Sequence, residues 1–256
     1  MIRVCVAGIT GWTGRPVAEA VAAADDLELV AGVARSSVGE GMTTHASVAE
    51  ALDAFPADVL VDYTSAEAVK ANVVAALERR VAVVVGSSGL TADDFVELDE
   101  RAREAGVGVV AAGNFSLLAA LLLRFAGEAA ARVNSWEIVD YASATKPDVP
   151  SGTARELAER LGMVREPELG RPLDEILGPA EARGATVAGT QVHSVRLPGF
   201  AVSTEIVFAA SGERLVIRHD TGEDPAPYVA GTLVAIRAVG ECVGVMRGLD
   251  RLLWPS

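Results

Sequence analysis

The sequence predicts an α/β protein in which a doubly wound parallel sheet is joined to a second α+β domain with a mixed open sheet. Two patterns lead to this prediction. In the first half, short valine-rich apolar runs alternate with helical stretches, which is typical of buried parallel strands in βαβ units. From about Phe115 onward, strands of alternating polarity joined by glycine-bearing turns indicate a mixed or antiparallel sheet. The chain has 256 residues, 50% of them apolar, so a sizeable core is available.

The elements of the first half follow one another in strict alternation. Turn residues bound each apolar run, and a stretch with helical spacing follows it. The predicted strands are Arg3 to Ala7, Leu27 to Val33, Val59 to Asp62, Ala82 to Val85 and Val107 to Ala111, and the predicted helices are Arg15 to Ala24, Ala66 to Arg79 and Thr91 to Glu104.

The second half begins with a predicted helix, Leu117 to Ala131, and the strand-like segment "SWEIVDYAS". A helix from about Thr153 to Leu161 comes next, and then three strand-like segments, "TVAGTQVHSVRLPG", "AVSTEIVFAAS" and "ERLVIRHDT". A last helix, Ala226 to Arg237, is predicted to pack back on the first domain. The first domain would therefore be discontinuous, residues 1–114 and 223–256, and the second would be residues 115–222.

Charge and composition exclude several classes of partner. The formal net charge is −13, without a basic stripe, which argues against nucleic acid and against an anionic membrane surface. No segment reaches the roughly 18 apolar residues of a membrane span, and the start "MIRVCVAG" lacks the regions of a signal peptide. Cys5 and Cys242 are interpreted as reduced thiols rather than a disulfide. We therefore expect a cytoplasmic protein, and we predict no metal site.

A glycine-rich turn follows the first predicted strand. In "VAGITGWTGRPVAEAV", Gly8, Gly11 and Gly14 form a G-x-x-G-x-x-G pattern between a strand and a helix. Missing side chains let backbone amides approach a pyrophosphate, and the helix start adds partial positive charge. A tight turn without a ligand is the alternative. The position of the turn in a βαβ unit favours a Rossmann-type dinucleotide site.

The end of the second predicted strand indicates which dinucleotide would bind. Sites selective for NAD usually place an acidic residue there to bind the ribose hydroxyls, whereas a 2′-phosphate favours a nearby arginine. This strand ends in "GVARSS", with Ala34 at the expected acidic position followed by Arg35 and Ser36. We predict NADPH as the preferred cofactor, with NADH possible. The alternative is that Arg35 is only a solvated loop charge.

Two later loops follow strands at the same predicted sheet edge, "DYTSAEAV" at residues 62–69 and "VGSSGLTADD" at residues 85–94. Their small residues would let a nicotinamide ring lie near backbone groups. Each loop taken singly could merely turn the chain. Because both follow successive parallel strands, we interpret them as one binding crevice.

The segment "YASATKPDVPSGTARELAER", residues 141–160, carries the strongest chemical signal. The amides of Gly152 and Thr153 and the start of the following helix would bind an anion, although Ser151 or Thr153 could simply cap that helix. Lys146 is one of two lysines beside twenty arginines. Unlike arginine, lysine can give up a proton at accessible pH. The alternative is a lysine retained by chance on an exposed loop.

In their order and spacing, these segments resemble the 4-hydroxy-tetrahydrodipicolinate reductase family, also called dihydrodipicolinate reductase. The resemblance covers nearly the whole chain, and "KPDVPSGT" is its most specific part. It implies NADH- or NADPH-dependent reduction of a cyclic imine-type dicarboxylate in the diaminopimelate and lysine pathway. It also implies a dinucleotide-binding domain, a substrate-binding and oligomerisation domain, and a homotetramer or homodimer.

The resemblance assigns roles to residues of this chain. Lys146 matches the catalytic lysine, and the substrate carboxylate would be bound by Ser151, Gly152 and Thr153. The predicted cofactor-binding residues are Gly8, Thr10, Gly11, Trp12, Thr13, Gly14, Arg35, Ser36, Tyr63, Thr64, Gly86, Ser87, Ser88, Gly113, Asn114 and Phe115, with Gly89 in the same loop as Ser88.

The sequence departs from the family pattern just before the lysine. Family members carry a histidine pair in a pattern like E-x-H-H-x-x-K, and its first histidine is assigned as proton donor, but Ala142 and Ser143 stand at those positions here. Lys146, Tyr141 or an ordered water are the remaining candidate donors, and folding could bring His193 near the site. Two alternative functions follow: a divergent imine or enamine reductase of specialised metabolism, and a non-catalytic NADPH-binding protein.

Overall fold

A computed structural model describes residues 1–35 and 44–254. The chain divides into two compact units, Met1–Leu117 with Pro225–Ser256 and Leu118–Asp224. The predicted boundaries lie close to these divisions, and the functional labels given to the two domains stay predictions. Ser36 lies outside the described residues. Within the described residues, every helix falls short of the length and apolar character needed to cross a bilayer.

The described residues form the following strands and α-helices. The strands are β1 Ile2–Ala7, β2 Leu27–Val33, β3 Thr44–His45, β4 Val59–Asp62, β5 Ala82–Val85, β6 Gly108–Ala111, β7 Ser135–Ala142, β8 Ala185–Val187, β9 Thr190–Arg196, β10 Val202–Ala210, β11 Glu213–Asp220 and β12 Gly244–Arg247. The helices are α1 Gly14–Ala23, α2 Val48–Ala54, α3 Val69–Leu77, α4 Ala92–Ala105, α5 Leu117–Ala130, α6 Gly152–Val164, α7 Ala226–Ala238 and α8 Leu249–Leu253.

The sheet of the first unit has the order β12-β6-β5-β4-β1-β2-β3, and all its strand pairs are parallel. The chain runs from β1 to β2 on one side and continues with β4 on the other, so the strand order reverses at β1. Open α/β sheets bind ligands outside the carboxyl ends of the strands at such a reversal. The predicted fold class is confirmed, and the glycine turn after β1 lies at the reversal.

The strands of the first unit are buried on both faces because helices cover both sides of a parallel sheet. All residues of β4, β5 and β6 are buried, as their continuous apolar runs predict. One predicted helix, Ala66 to Arg79, is too long. The helix spans Val69–Leu77, and the residues after it form a turn that ends in the left-handed backbone of Arg80, with φ of +56°.

The second unit has a mixed five-stranded sheet of order β11-β10-β7-β9-β8, in which only the β7–β9 pair is parallel. Burial alternates along β7, so Trp136, Ile138, Asp140 and Ala142 share the buried face. Apolar residues of α6 complete this core, including Leu157 and Leu161. Asp140 is therefore the one carboxylate on the buried face of β7.

Candidate active site

The glycine turn after β1 is packed so closely that its own backbone requires glycine. A Cβ at Gly8, where φ is +80°, would lie 2.1 Å from the carbonyl oxygen of Tyr63. A Cβ at Gly14 would lie 2.1 Å from the carbonyl oxygen of Gly8. A Cβ at Gly11 would lie 3.0 Å from that same oxygen, which accepts the Gly11 amide at 2.8 Å. Two of the three glycines are therefore demanded by packing, whether or not a ligand binds.

Helix α1 begins at this turn without a side-chain cap. Thr13 occupies the N-cap position, and its side chain makes no capping hydrogen bond. Arg15 donates its amide to the Gly11 carbonyl at 3.1 Å and Pro16 has no N–H, so α1 offers the turn the Gly14 amide and the partial positive charge of its N-terminus. Thr10 and Trp12 are exposed beside it, and the Trp12 ring meets the Tyr228 ring edge-on at 5.8 Å. This geometry suits a phosphate ligand.

Arg35 follows β2 and is exposed. Its backbone neighbour Ala34 donates an amide hydrogen bond to His45 of β3 at 3.1 Å. The pKa of Glu67 is lowered mainly by a hydrogen bond from Ser65 and to a smaller degree by the charge of Arg35. Arg35 therefore lies near the loop after β4, at the carboxyl edge of the sheet.

The buried carboxylate of Asp62, at the end of β4, joins the loops that follow β4 and β5. Asp62 is 0% exposed. Its Oδ1 accepts hydrogen bonds from the Thr64 amide at 3.1 Å, the Thr64 hydroxyl at 2.8 Å and the Ser87 hydroxyl at 2.6 Å. Its Oδ2 accepts the Asn72 amide group at 2.8 Å. The hydroxyls of Thr64 and Ser87 therefore bond to the protein itself, and their predicted contacts with a cofactor stay predictions.

Sequence reasoning missed Asp62 as an organising residue. The signal was present, because Asp62 is a carboxylate at the end of an apolar run and the first residue of the predicted loop at residues 62–69. What the sequence could not show is that Ser87, 25 positions later, supplies one of its donors.

In the first unit the side chain of Phe115 is buried and that of Tyr63 is half-buried against it. The Tyr63 hydroxyl lies 2.7 Å from the Thr232 hydroxyl oxygen, and burial raises the pKa of Tyr63. A Cβ at Gly86 would lie 2.1 Å from the Tyr63 ring, and Phe115, which is 1% exposed, meets that ring edge-on at 6.2 Å. Both residues could therefore offer a cofactor mainly their backbone groups.

The remaining predicted cofactor residues lie in loops after parallel strands of the first unit. Asn114 is buried, and its Oδ1 accepts the Ser116 amide at 2.8 Å. Ser88 and Gly113 are exposed in the loops after β5 and β6. Carboxyl ends of parallel strands meet at one sheet edge, so the glycine turn and these loops share the edge that the sequence predicted.

In the second unit, Asp140 holds the start of α6. Asp140 is 0% exposed, and its carboxylate accepts the Ser151 amide at 2.8 Å and the Ser151 hydroxyl at 2.6 Å. The Ser151 oxygen also caps the helix by accepting the Ala154 amide at 3.3 Å. Both Ser151 donors are thus occupied by Asp140. The partly exposed Gly152 follows at the first helical position, where an amide has no intrahelical partner.

Lys146 lies in the loop between β7 and α6, and its Nζ is 2.8 Å from Asp148 Oδ1. Its side chain is 27% exposed, so the ammonium group is reachable from solvent. Arg196 of β9 links this loop to the strand, because its Nη2 donates to Asp148 O and to Asp140 Oδ2, each at 2.8 Å. One guanidinium group therefore ties the lysine loop to the carboxylate that holds α6.

The structure does not bring Tyr141 to this cluster. Successive side chains of a strand point to opposite faces, so Tyr141 lies on the other side of the sheet from Asp140. There its ring stacks on Phe200 at 5.1 Å, and the Arg218 guanidinium lies 4.8 Å from the ring centre. The prediction of Tyr141 as proton donor therefore has no geometric support.

The two histidines of the second unit lie on opposite faces. His193 is paired across the sheet with Val139, on the face opposite Asp140, and its Nε2 is 2.7 Å from Glu137 Oε2. The expectation that folding could bring His193 to the lysine is therefore wrong. His219 pairs across the sheet with Thr204, which pairs with Asp140, so these three side chains share the buried face. Burial lowers the pKa of His219, with a smaller opposing effect of Asp220.

Comparisons with known proteins match both units. A family model described as "Dihydrodipicolinate reductase, N-terminus" matches residues 2–115, and one described as "Dihydrodipicolinate reductase, C-terminus" matches residues 118–253. The 4-hydroxy-tetrahydrodipicolinate reductase of Cutibacterium acnes is 39% identical over 99% of both chains. That of Moorella thermoacetica is 37% identical over 98% of both chains.

A similar solved structure carries a ligand. It is a dipicolinate-bound dihydrodipicolinate reductase from Paenisporosarcina sp. TG-14, with a TM-score of 0.78 and 28% sequence identity. The match covers 98% of this chain and 99% of that one.

Proposed function

The chain belongs to the dihydrodipicolinate reductase family, and on that premise we propose that it reduces a cyclic imine-type dicarboxylate derived from 4-hydroxy-tetrahydrodipicolinate, with NADPH as cofactor. Family membership confirms the predicted enzyme class, an NAD(P)H-dependent oxidoreductase of the dihydrodipicolinate reductase type. The substrate, the preference for NADPH and the residue roles are the proposed part.

One observation carries the proposal: Arg196 joins the loop of Lys146 to the carboxylate that holds Ser151 at the start of α6. An ammonium group and a helix start with its partial positive charge are thereby held in one unit. Such an arrangement suits a substrate that carries both a carboxylate and a polarisable unsaturated bond. The dipicolinate bound by the relative from Paenisporosarcina is a dicarboxylate of this kind.

The residues of the first unit fit a dinucleotide. The uncapped start of α1 and the closely packed glycine turn would hold the pyrophosphate. Arg35 would bind the 2′-phosphate, and the loops joined by Asp62 would hold the nicotinamide end. When bound, NADPH supplies the hydride.

The residues of the second unit would orient the substrate and supply a proton. The amides of Gly152 and Thr153 would bind one carboxylate, and the Lys146 ammonium would polarise the unsaturated group. Ala142 is buried at the family's histidine position and has no titratable group, so Lys146 or a water it orders would deliver the proton. Tyr141 lies on the opposite face of the sheet.

The proposed assembly is a homotetramer or homodimer. Support comes from the edge strand β11, where Leu215 and Val216 are 50% and 51% exposed. Half-exposed apolar side chains on an unpaired strand edge are typical of surfaces that associate.

The proposed location is the cytoplasm, which is consistent with free thiols at Cys5 and Cys242.

The experiment that tests the proposal is NADPH oxidation by the purified protein, supplied with the heterocycle generated in situ by the preceding synthase. Sustained turnover that depends on the synthase product would support it. NADPH binding without turnover would overturn it and favour a divergent reductase, because Ala142 and Ser143 replace the family's histidines. A screen of cyclic imines and unsaturated carboxylates would then separate that alternative from a non-catalytic protein.

A further inference from the structure

The second unit contains a buried ion pair whose position points to a specific task. We propose that Asp140, paired with Arg196, is a positioning residue that holds the carboxylate-binding start of α6 and the loop of Lys146 in one fixed arrangement. The inference rests on the proposed function, because it concerns how that substrate would be bound. It gives a role to Asp140 and Arg196, which both lie outside the motif "KPDVPSGT".

The hydrogen bonds of Asp140 come from two separate elements, the start of α6 and strand β9. Ser151 at the start of α6 donates its amide at 2.8 Å and its hydroxyl at 2.6 Å. From β9, Ser194 donates its hydroxyl at 3.2 Å and Arg196 donates Nη2 at 2.8 Å. Because Asp140 itself is on β7 and is 0% exposed, its carboxylate fixes the helix start against two strands without meeting solvent.

Arg196 extends this arrangement to the lysine loop. Its Nη2 also donates to the carbonyl oxygen of Asp148 at 2.8 Å, and Asp148 Oδ1 lies 2.8 Å from Lys146 Nζ. A continuous chain of contacts therefore runs from Lys146 through Asp148, Arg196 and Asp140 to Ser151. Displacement of the guanidinium group would detach the lysine loop from the carboxylate that holds the helix start.

Stability alone does not account for this pair. A buried ion pair is seldom better for folding than apolar residues of similar volume, because both charges lose their hydration. Arg196 is only 14% exposed, and its buried Nε has no hydrogen-bond partner among the described residues. The side chain thus satisfies Asp140 and Asp148 while one of its own donors stays unpaired, an arrangement that costs folding free energy rather than adding to it.

The charge of the pair also matters for an anionic substrate. A lone buried carboxylate directly behind the helix start would repel a dicarboxylate, and this repulsion is strong where water is excluded. Arg196 neutralises Asp140 at 2.8 Å, so the amides of Gly152 and Thr153 can attract an anion. Removal of the arginine alone should therefore harm binding more than removal of both charges.

The test uses Asp140→Asn, Arg196→Met and the double variant in the full-length protein, with exposed Asp174→Asn as control. Dipicolinate and NADPH affinities are measured by calorimetry, and the substrate KM and kcat by NADPH oxidation. We expect Asp140→Asn to weaken dipicolinate binding and raise the substrate KM at least about tenfold. Arg196→Met should weaken dipicolinate binding further and raise the substrate KM further. The double variant should bind dipicolinate more tightly than Arg196→Met and have a lower KM. NADPH affinity, which depends on the first unit, should stay within about twofold in all of them.

Arg196→Lys serves if the other variants fail to fold. Lysine keeps the positive charge but lacks the planar fork that reaches Asp140 and Asp148 together, so the KM should still rise. The inference would be overturned, and the proposed function kept, if the wild type turns over while folded Asp140→Asn and Arg196→Lys variants keep its dipicolinate affinity and KM. A wild type that binds NADPH but neither binds dipicolinate nor turns over would overturn the proposed function and the inference with it.

Discussion

Ser87 donates its hydroxyl to the buried carboxylate of Asp62 at 2.6 Å, and this bond joins two loops that are separate in the sequence. The oxygen of Ser87 in turn accepts the Thr64 amide at 2.7 Å. The second unit repeats the pattern, because Ser151 donates to Asp140 at 2.6 Å. In each unit a buried aspartate arranges the loop residues, and its donors include predicted site residues: Thr64 and Ser87 for Asp62, and Ser151 for Asp140.

The first prediction concerns Asp62. Replacement by Asn leaves the shape but removes a charged acceptor of four hydrogen bonds, so the two loops should loosen. Hydrogen bonds to charged groups contribute about 1.5–3 kcal/mol each, and we expect NADPH affinity to fall at least about tenfold. Calorimetry measures the NADPH affinity, at a temperature where circular dichroism shows that the variant is folded. Asp53→Asn, at an exposed carboxylate paired with Arg79, is the control. Equal NADPH affinity in both variants would contradict the role of Asp62.

Arg35 is predicted to select NADPH over NADH. Arg35→Ala should raise the KM for NADPH about tenfold or more and leave the KM for NADH nearly unchanged, because only NADPH carries the 2′-phosphate. Arg101→Ala, at an exposed arginine paired with Glu97 on α4, should change neither constant. An unchanged NADPH constant in Arg35→Ala would mean that this arginine is a solvated loop charge.

The two lysines of the chain allow a matched comparison. Lys146→Ala should lower kcat about 10²- to 10⁴-fold, the usual range for loss of a general acid. Lys70→Ala should leave kcat unchanged, because Lys70 pairs with Asp94 and Glu97 at the surface of the first unit.

Lys146→Arg separates charge from proton transfer. Arginine can keep the ion pair with Asp148, but it does not release a proton at accessible pH. If Lys146 donates the proton, this variant should bind dipicolinate nearly normally and still be slow. Wild-type kcat with an unaltered pH profile in Lys146→Arg would show that the lysine acts only as a charge.

His219 should make stability depend on pH. Burial lowers its folded-state pKa below the ordinary value of about 6.5, so the unfolded chain takes up the proton first as pH falls. The contribution of His219 is therefore complete above about pH 6.5 and is lost as pH falls toward the folded-state value. Urea unfolding of wild type and His219→Gln between about pH 5 and 8 measures the difference. A pH-independent difference in unfolding free energy would contradict this assignment.

The sheet of the first unit was predictable because its strands are continuous apolar runs. Leu27–Val33, Val59–Asp62 and Ala82–Val85 have the predicted bounds. Strand β12 was missed because Gly244–Arg247 is short, and only its pairing with β6 makes it a strand. Strand β3 and helix α2 were missed as well, since Thr44–His45 pairs with only two residues of β2 and Val48–Ala54 is a short helix.

The candidate site was predictable in its residue types and only partly in its geometry. The motif around Lys146 and Ser151 identified the lysine and the helix start. It did not identify Asp140, because the donors Ser194 and Arg196 come from a strand more than 50 positions later. A signal for Asp140 was nevertheless present, since it is the charged residue on the buried face of an alternating strand. The same alternation places Tyr141 on the opposite face from Asp140, so it could have excluded Tyr141 as a candidate proton donor.

The central claim is that this protein transfers a hydride from NADPH to the heterocycle, and an isotope label on the nicotinamide tests it most directly. The protein carries out a single turnover with NADPH that is deuterated at both C4 positions of the nicotinamide, and the synthase supplies the heterocycle. Mass spectrometry then measures the deuterium in the product. We expect one deuterium in the reduced product, formed by a protein with Ala142 and Ser143 at the family's histidine positions. Bound NADPH and unlabelled, unreduced heterocycle in the same sample would contradict it.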